Sequence, residues 1–328
     1  MLPVEMGKEG PPVPANTRVY QHHHLDSTRW EHVTFRPDDV VVTTPYKCGT
    51  TWTQRILAAL IHGPDQGLGR ELSPWIDARF WGPIEPIAEG LEAQQHRRFI
   101  KSHLPLDGMP WDDDVHYVVV GRDPRDIFMS LLNHYASYGE AAMTVLNDSG
   151  NPGAPMPLYG GDVHEFWRDW IGRGWFSWEQ DGWPFWSAFH HLETWWSVRD
   201  RPNVLLVHFA DLKADPAAEI ARLARFLDIE RTADELARVK EVTTFSHMRA
   251  DLLVTEAAEG GPDGSFFEGG MATFMFKGTN GRWREVLTAE ELDAYEARAG
   301  QLDDGLRAWL EHGRLAQDHD ADRSSTDR

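Results

Sequence analysis

The sequence predicts an α/β fold: one three-layer domain with helices on both faces of a central parallel sheet. Two observations carry that expectation. A short β-branched run at 39–44 and strand candidates at 116–120 and 204–209 are each followed by a segment that reads as helix. The intervals between the runs are long enough for the crossover connections that parallel strands need. No stretch repeats at a solenoid period. Taken at ~150 residues per domain, 328 residues suggest two domains, but one large α/β domain fits equally well. The organisation expected is an N-terminal extension over 1–30, a main domain over 31–310 and an unstructured polar tail over 311–328.

The elements follow in order. The first strand is Asp39-Val40-Val41-Val42-Thr43-Thr44, a buried type by its β-branched run. It passes through Pro45-Tyr46-Lys47-Cys48-Gly49-Thr50-Thr51-Trp52 into a helix over Thr53–Ile61. Phe99–Pro105 is a strand end closed by proline. His116–Val120 is a strand, Gly121–Asp126 a turn, and Ile127–Leu132 opens a helix. Val204–Phe209 is the next strand, followed by a helix over Pro216–Leu227. Two Gly/Pro-rich stretches, Asn147–Asp162 and Ala257–Ala272, are too long for ordinary connections and read as mobile loops or lids. Eight of the fifteen Trp residues fall between Phe166 and Trp196. Helices packed by aromatics are the expected use, with an aromatic wall for an apolar ligand as the alternative.

Composition removes several function classes. With 32 basic and 52 acidic side chains, the formal charge of −20 opposes broad binding to nucleic acid or anionic membranes. The single cysteine, Cys48, excludes an intrachain disulfide and multi-Cys zinc sites. Residues 1–20 hold no apolar signal core, and runs such as Ile56–Ile61 are far below the ~20 residues of a membrane span. A cytoplasmic protein without a transmembrane segment is the expectation.

A strand that ends in a Gly/Thr loop and opens a helix forms a P-loop-like anion site from its backbone amides and the helix N-terminus. Here Lys47 precedes Gly49, and Thr50 and Thr51 open the helix. The nucleotide-kinase pattern GxxxxGK[ST] is absent, which counts against a phosphotransferase, the alternative enzyme reading. Arg122 at a strand end and Ser130 on the following helix could grip a second phosphate. His103, two residues after Lys101, is a candidate general base whose neutral form is available near pH 7. The His22-His23-His24 triplet has metal-cluster character, but without an Asp, Glu or His partner at ligand spacing it reads as a solvated loop, and no metal is expected.

Together, Pro45–Trp52, Lys101–Pro105, Tyr117–Ser130 and Phe276-Lys277-Gly278-Thr279-Asn280-Gly281-Arg282-Trp283 resemble the cytosolic-type sulfotransferases, in family order across residues ~39–290. That family transfers a sulfuryl group from 3′-phosphoadenosine 5′-phosphosulfate (PAPS) to a hydroxyl. The resemblance implies that Lys47, Cys48, Gly49, Thr50 and Thr51 hold the 5′-phosphosulfate, with Trp52 against the adenine. Arg122 and Ser130, eight apart as in the family, would take the 3′-phosphate. His103 would be the catalytic base, assisted by Lys101 and Lys47. Thr243, Phe245 and Met248 match the adenine-side TSFxxM stretch, and Phe209 stands where the family often has an adenine-contacting Tyr. Phe276, Lys277 and Gly278 match the RKG of the closing lid, with Phe276 replacing its Arg. Trp75, with Phe80 and Trp81 nearby, lies where the family gates its acceptor. The acceptor implied is a small-molecule, lipid or sugar hydroxyl. The dimer motif KxxxTVxxxE survives only as Arg284, Thr288, Ala289 and Asp293, so a homodimer by that route is open. Cys48 for Ser and Phe276 for Arg are the departures that bear on donor affinity. They also give some weight to a non-catalytic nucleotide-binding protein as the alternative from another class.

Overall fold

The computed structural model describes residues 13, 16–69, 71–148, 150, 153–258 and 266–326. Four strands, β1 (Val40–Thr43), β2 (Phe99–Ser102), β3 (His116–Gly121) and β4 (Val204–His208), form one parallel sheet in the order β2-β1-β3-β4. Every residue of β1 is buried, which explains its unbroken Val run: a strand covered on both faces has no solvent side to alternate toward. In register, Val42 of β1 sits between Lys101 of β2 and Val118 of β3. From β1 the chain crosses first to β2 on one side and then to β3 on the other. The strand order therefore reverses at β1, and the crevice beyond the strands' carboxyl ends there is where open α/β sheets bind ligands.

Helices Thr50–His62 and Pro124–Ala136 follow β1 and β3 directly. The second starts with Asp123 accepting the Arg125 amide and with Pro124 at its first position, both ordinary start signals. β4 ends at His208, one residue earlier than the sequence suggests, because Phe209 opens the short helix Phe209–Ala214 under the His208 cap. The Trp-rich segment is largely helix packing. Trp167, Trp170, Trp186 and Trp195 are fully buried, and Trp167 packs edge-on against Phe128 at 4.7 Å.

Three expectations change. The His22–His24 segment is not a solvated loop: the three imidazoles are 0, 0 and 3% exposed, stacked among Trp175, Phe176 and Trp186. The chain after Glu311 is not an unstructured tail but part of the helix Asp304–Thr326, interrupted at Gly313 (φ 77°). Asp211 restarts that helix by accepting the Arg314 and Leu315 amides. The 147–162 stretch is pinned where it is described. Asn147 brackets the Met156 backbone with two hydrogen bonds, and the Tyr135 hydroxyl donates to the Pro157 carbonyl at 2.6 Å. Within the second Gly-rich stretch, one helix ends at Ala258 and another spans Gly270–Phe274, while 259–265 lie outside the described residues. Among the described residues no helix is long and apolar enough to cross a membrane.

Candidate active site

The loop after β1 is shaped by two residues of left-handed backbone, Lys47 (φ 64°) and Gly49 (φ 105°). They curl the chain so that the helix Thr50–His62 starts without any side-chain cap. Its first amides have no partner inside the helix and lie at the positive end of the helix dipole. Gly49 is required twice over: by its φ, and because a β-carbon there would lie 2.9 Å from the Phe209 ring. Tyr46 anchors the loop by donating its hydroxyl to the Trp186 carbonyl at 2.8 Å. The Cys48 thiol is buried, faces the Tyr46 carbonyl at 3.7 Å, and is pushed up by burial. Its contribution to the loop is therefore its backbone.

Lys47 is enclosed. Its Nζ donates to Nδ1 of His134 at 3.2 Å and stands 4.9 Å from the Phe274 ring centre. Among the described residues no carboxylate pairs with it. Burial, then the charges of Lys101 and Arg122, push its ammonium down to about 7. Burial and the Lys47 charge hold His134 well below the usual imidazole range, so it is a neutral acceptor.

His103 follows β2. Its ring Nδ1 lies 2.7 Å from the Thr44 carbonyl. A carbonyl only accepts, so this contact places the proton on Nδ1 and leaves the Nε2 lone pair free. Burial, followed by the Lys101 charge, holds the ring well below its ordinary value, so the neutral base form is present at pH 7. Asp77 arranges the surroundings: one carboxylate oxygen accepts the His103 amide at 3.0 Å and the Trp75 indole N–H at 2.7 Å, and the other accepts Trp30. Trp75 meets the His103 ring edge-on at 4.7 Å, and the Lys101 Nζ lies 4.1 Å from the Trp75 ring centre.

Arg122 closes β3. Its guanidinium donates to the Lys47 carbonyl, the Thr279 carbonyl and the Asn280 Oδ1, and stacks 4.2 Å from the Phe209 ring. It thus ties the β1 loop to the segment carrying Phe276–Arg282. Ser130 lies part-exposed on the helix Pro124–Ala136. A second aromatic group gathers beside the loop. Trp52 meets Phe209 edge-on at 5.6 Å with its buried indole N–H unpartnered, and Phe245 lies against Gly278, 3.0 Å from the position of a β-carbon there. Met248 is buried one turn beyond Phe245, whereas the Thr243 hydroxyl is spent on the Val239 carbonyl of its own helix. Phe276 is 43% exposed, at the rim beside Lys277.

On the opposite side Trp75, Phe80 and Trp81 form a chain of ring contacts that Trp186, 5.6 Å from His103, and His24 extend. His24 Nε2 lies 3.1 Å from the Tyr138 hydroxyl. One ring nitrogen from each of His22, His23 and His24 lies within 4.8 Å of the others. Nδ1 of His22 accepts the His24 and Leu25 amides, which puts its proton on Nε2 and makes that atom a donor rather than a ligand. The Arg79 charge also acts on all three rings. The cluster is a buried aromatic wall, hydrogen-bonded through Nδ1 of His22, the His23–His24 contact and Tyr138, with Nε2 of His22 and His23 unpartnered among the described residues.

The structure thus brings together Lys47, Lys101, His103, Arg122 and the aromatic residues singled out from the sequence. Asp77, Thr44 and His134 are additions with no sequence signal of their own, whereas Trp186 comes from the Trp-rich segment whose alternative reading is an aromatic wall. Arg282 stood inside a recognised segment but carried no assigned role.

The sulfotransferase domain profile matches residues 37–304. A glycolipid sulfotransferase of Mycobacterium bovis (strain BCG / Pasteur) is 37% identical over 319 residues, 92% of this chain and 96% of that protein. Human sulfotransferase 1C2 is 24% identical over 273 residues, covering 80% of this chain and 81% of its own. Among solved structures, a mouse sulfotransferase complexed with PAP superposes with a TM-score of 0.65 at 19% identity, over 88% of this chain and 94% of that one.

Proposed function

The chain belongs to the sulfotransferase family, and from that premise we propose that PAPS is its donor and that the acceptor is a hydroxyl of a sugar- or lipid-bearing molecule. One observation carries the donor reading: Lys47 is a half-buried cation with no carboxylate partner among the described residues, its ammonium pushed down to about 7 by desolvation and then by two further cations, at the mouth of an uncapped helix. Burying such a charge is costly, and an anionic ligand that meets it relieves the cost. The unpartnered Trp52 indole beside Phe209 and the closeness of Gly49 to that ring fit an adenine at the same edge.

When bound, the donor supplies the sulfuryl group and leaves as adenosine 3′,5′-bisphosphate (PAP). The protein's residues do the rest. The amides of Cys48–Trp52 and Lys47 hold the 5′ end, with Arg122 and Ser130 at the 3′ end. His103 takes the acceptor's proton at Nε2, its ring fixed by the Thr44 carbonyl and its backbone by Asp77. Lys47, assisted by Lys101, offsets negative charge on the departing side. Trp75, Phe80 and Trp81 wall the acceptor; such faces stack on sugar rings as well as apolar alcohols, and the glycolipid sulfotransferase relative favours the former. A cytoplasmic location and metal-independent turnover belong to the same reading. The phosphotransferase alternative is not favoured. Titration calorimetry with PAP in EDTA tests the donor: micromolar binding that Lys47→Ala and Arg122→Ala both weaken is expected. No binding by the wild type would overturn it.

A further inference from the structure

The lid segment poses a question of charge. Where the resembled family carries RKG, this chain has Phe276-Lys277-Gly278, so one cation expected near the 3′-phosphate is missing. The structure shows what occupies that place. The Phe276 ring has two cations beside it: Lys277 Nζ at 5.1 Å and the Arg282 guanidinium carbon at 5.0 Å from its centre. An aromatic ring attracts cations through its quadrupole, so Phe276 holds charge at the site without supplying it.

Arg282 is fixed there by its own partners. Its Nη2 donates to Asn133 Oδ1 at 3.3 Å. Asn133 is three residues after Ser130 on the helix Pro124–Ala136, hence on the same face. The turn that delivers Arg282 is clamped on its other side. Arg122 grips Thr279 and Asn280, and the Gly281 amide donates to Asp126 at 2.6 Å. Gly281 has φ 84°, a left-handed conformation that turns the chain so that residue 282 faces back toward the helix. Arg122 and Arg282 thus flank the Asn280–Gly281 turn, close enough for the Arg282 charge to act on Arg122, with the Asp126 carboxylate beside both. Arg122, Arg282 and Lys277, with Lys213 on the Gly278 carbonyl, outnumber the Asp126 carboxylate and the Arg125-paired Asp123, a net positive charge suited to a phosphate monoester dianion.

We propose that Arg282 is a donor-binding residue of this enzyme, supplying to the 3′-phosphate the guanidinium that Phe276 no longer provides. The proposal rests on PAPS being the donor. It makes the Phe276/Arg282 pair an exchange of position: the cation has moved six residues along the chain, and the ring left behind orients it. Arg282 then sets selectivity for a 3′-phosphorylated adenine nucleotide over one lacking that group.

The experiment is titration calorimetry at fixed salt with two probes, PAP and 5′-AMP, which differ only in the 3′-phosphate. Arg282→Ala is expected to weaken PAP by about 10- to 100-fold, the range for a charge-assisted phosphate contact, and to leave 5′-AMP within about twofold. Arg284→Ala removes the same charge two residues on, from an exposed side chain stacked on Trp283, and is expected to change neither probe. Adding Phe276→Arg to Arg282→Ala is expected to restore most of the PAP affinity, which a folding defect at 282 would not permit. Equal loss of both probes in Arg282→Ala, or no loss of PAP, would overturn the proposal while leaving the donor reading intact. A wild type that does not prefer PAP to 5′-AMP would overturn the donor reading itself.

Discussion

Binding PAP has to recharge Lys47, and the size of that effect follows from the structure. In the free protein the ammonium is pushed down to about 7 by burial, Lys101 and Arg122. A phosphate beside it returns it at least to the ordinary lysine range near ~10.4. Affinity then scales with the fraction of free protein already protonated: about one-half at pH 7, about one-tenth at pH 8 and about one-hundredth at pH 9. Between pH 7 and 9 the wild type should lose about 50-fold in PAP affinity, or about 2.3 kcal/mol. The sign is fixed: a lysine lowered in the free state and raised in the complex takes up a proton on binding, so alkaline pH weakens the complex. Calorimetry at pH 8 in buffers of different ionisation enthalpy should show about 0.9 proton taken up per PAP bound. The ligand's own phosphates, with a second pKa near ~6, are already ionised at that pH and contribute little. Lys47→Arg should bind without the uptake, because its charge is permanent, and Lys47→Met should bind weakly and without it. A wild type that takes up no proton at pH 8 would refute the assignment of a near-neutral Lys47 to the donor site.

Four further outcomes follow from the same geometry. His103→Ala should cut kcat by about 10²- to 10⁴-fold while PAP affinity stays within about threefold, checked by initial rates and calorimetry on one preparation. Gly49→Ala forces a side chain toward Phe209 at φ 105° and should cost about 1–3 kcal/mol in urea unfolding together with PAP binding. Asp77→Ala removes the acceptor of the Trp75 indole and the His103 amide; it should lower kcat more than it raises the donor KM and destabilise the fold by about 1–3 kcal/mol. Turnover measured after exhaustive chelation should equal that before it, since Lys47, Lys101 and Arg122 supply the positive charge; loss of activity restored by a divalent ion would contradict the proposed charge balance.

The sheet was legible because β1 and β3 carry unbroken Val runs and β4 an apolar one, and β1 and β3 differ from their expected bounds by a residue or so. The β1 loop was legible for the same kind of reason: a Gly and two Thr at a helix start have few other uses. What stayed hidden depends on contacts distant in sequence. His134 lies on Lys47 from 87 residues away, and Asp77 reaches His103 across 26. The His22–His24 triplet shows the failure most plainly. Three polar residues in a row read as solvent-facing, yet Phe176, Trp175 and Trp186 enclose them; His22 Nδ1 accepts backbone amides and His24 meets Tyr138, while Nε2 of His22 and of His23 stays unpartnered among the described residues. The tail was misjudged likewise, because its restart depends on the Asp211 carboxylate a hundred residues upstream.

The measurement that bears most directly on the account is transfer of label from [35S]PAPS to a panel of glycolipid, sterol and phenolic alcohols, comparing wild type with His103→Ala. An O-sulfated product and stoichiometric PAP are expected with at least one hydroxyl acceptor for the wild type, and transfer at least about 100-fold slower for His103→Ala although that variant binds PAP. Equal label transfer by both proteins would contradict the assignment of His103 as base. Binding of PAP without transfer to any acceptor class would contradict the assigned reaction.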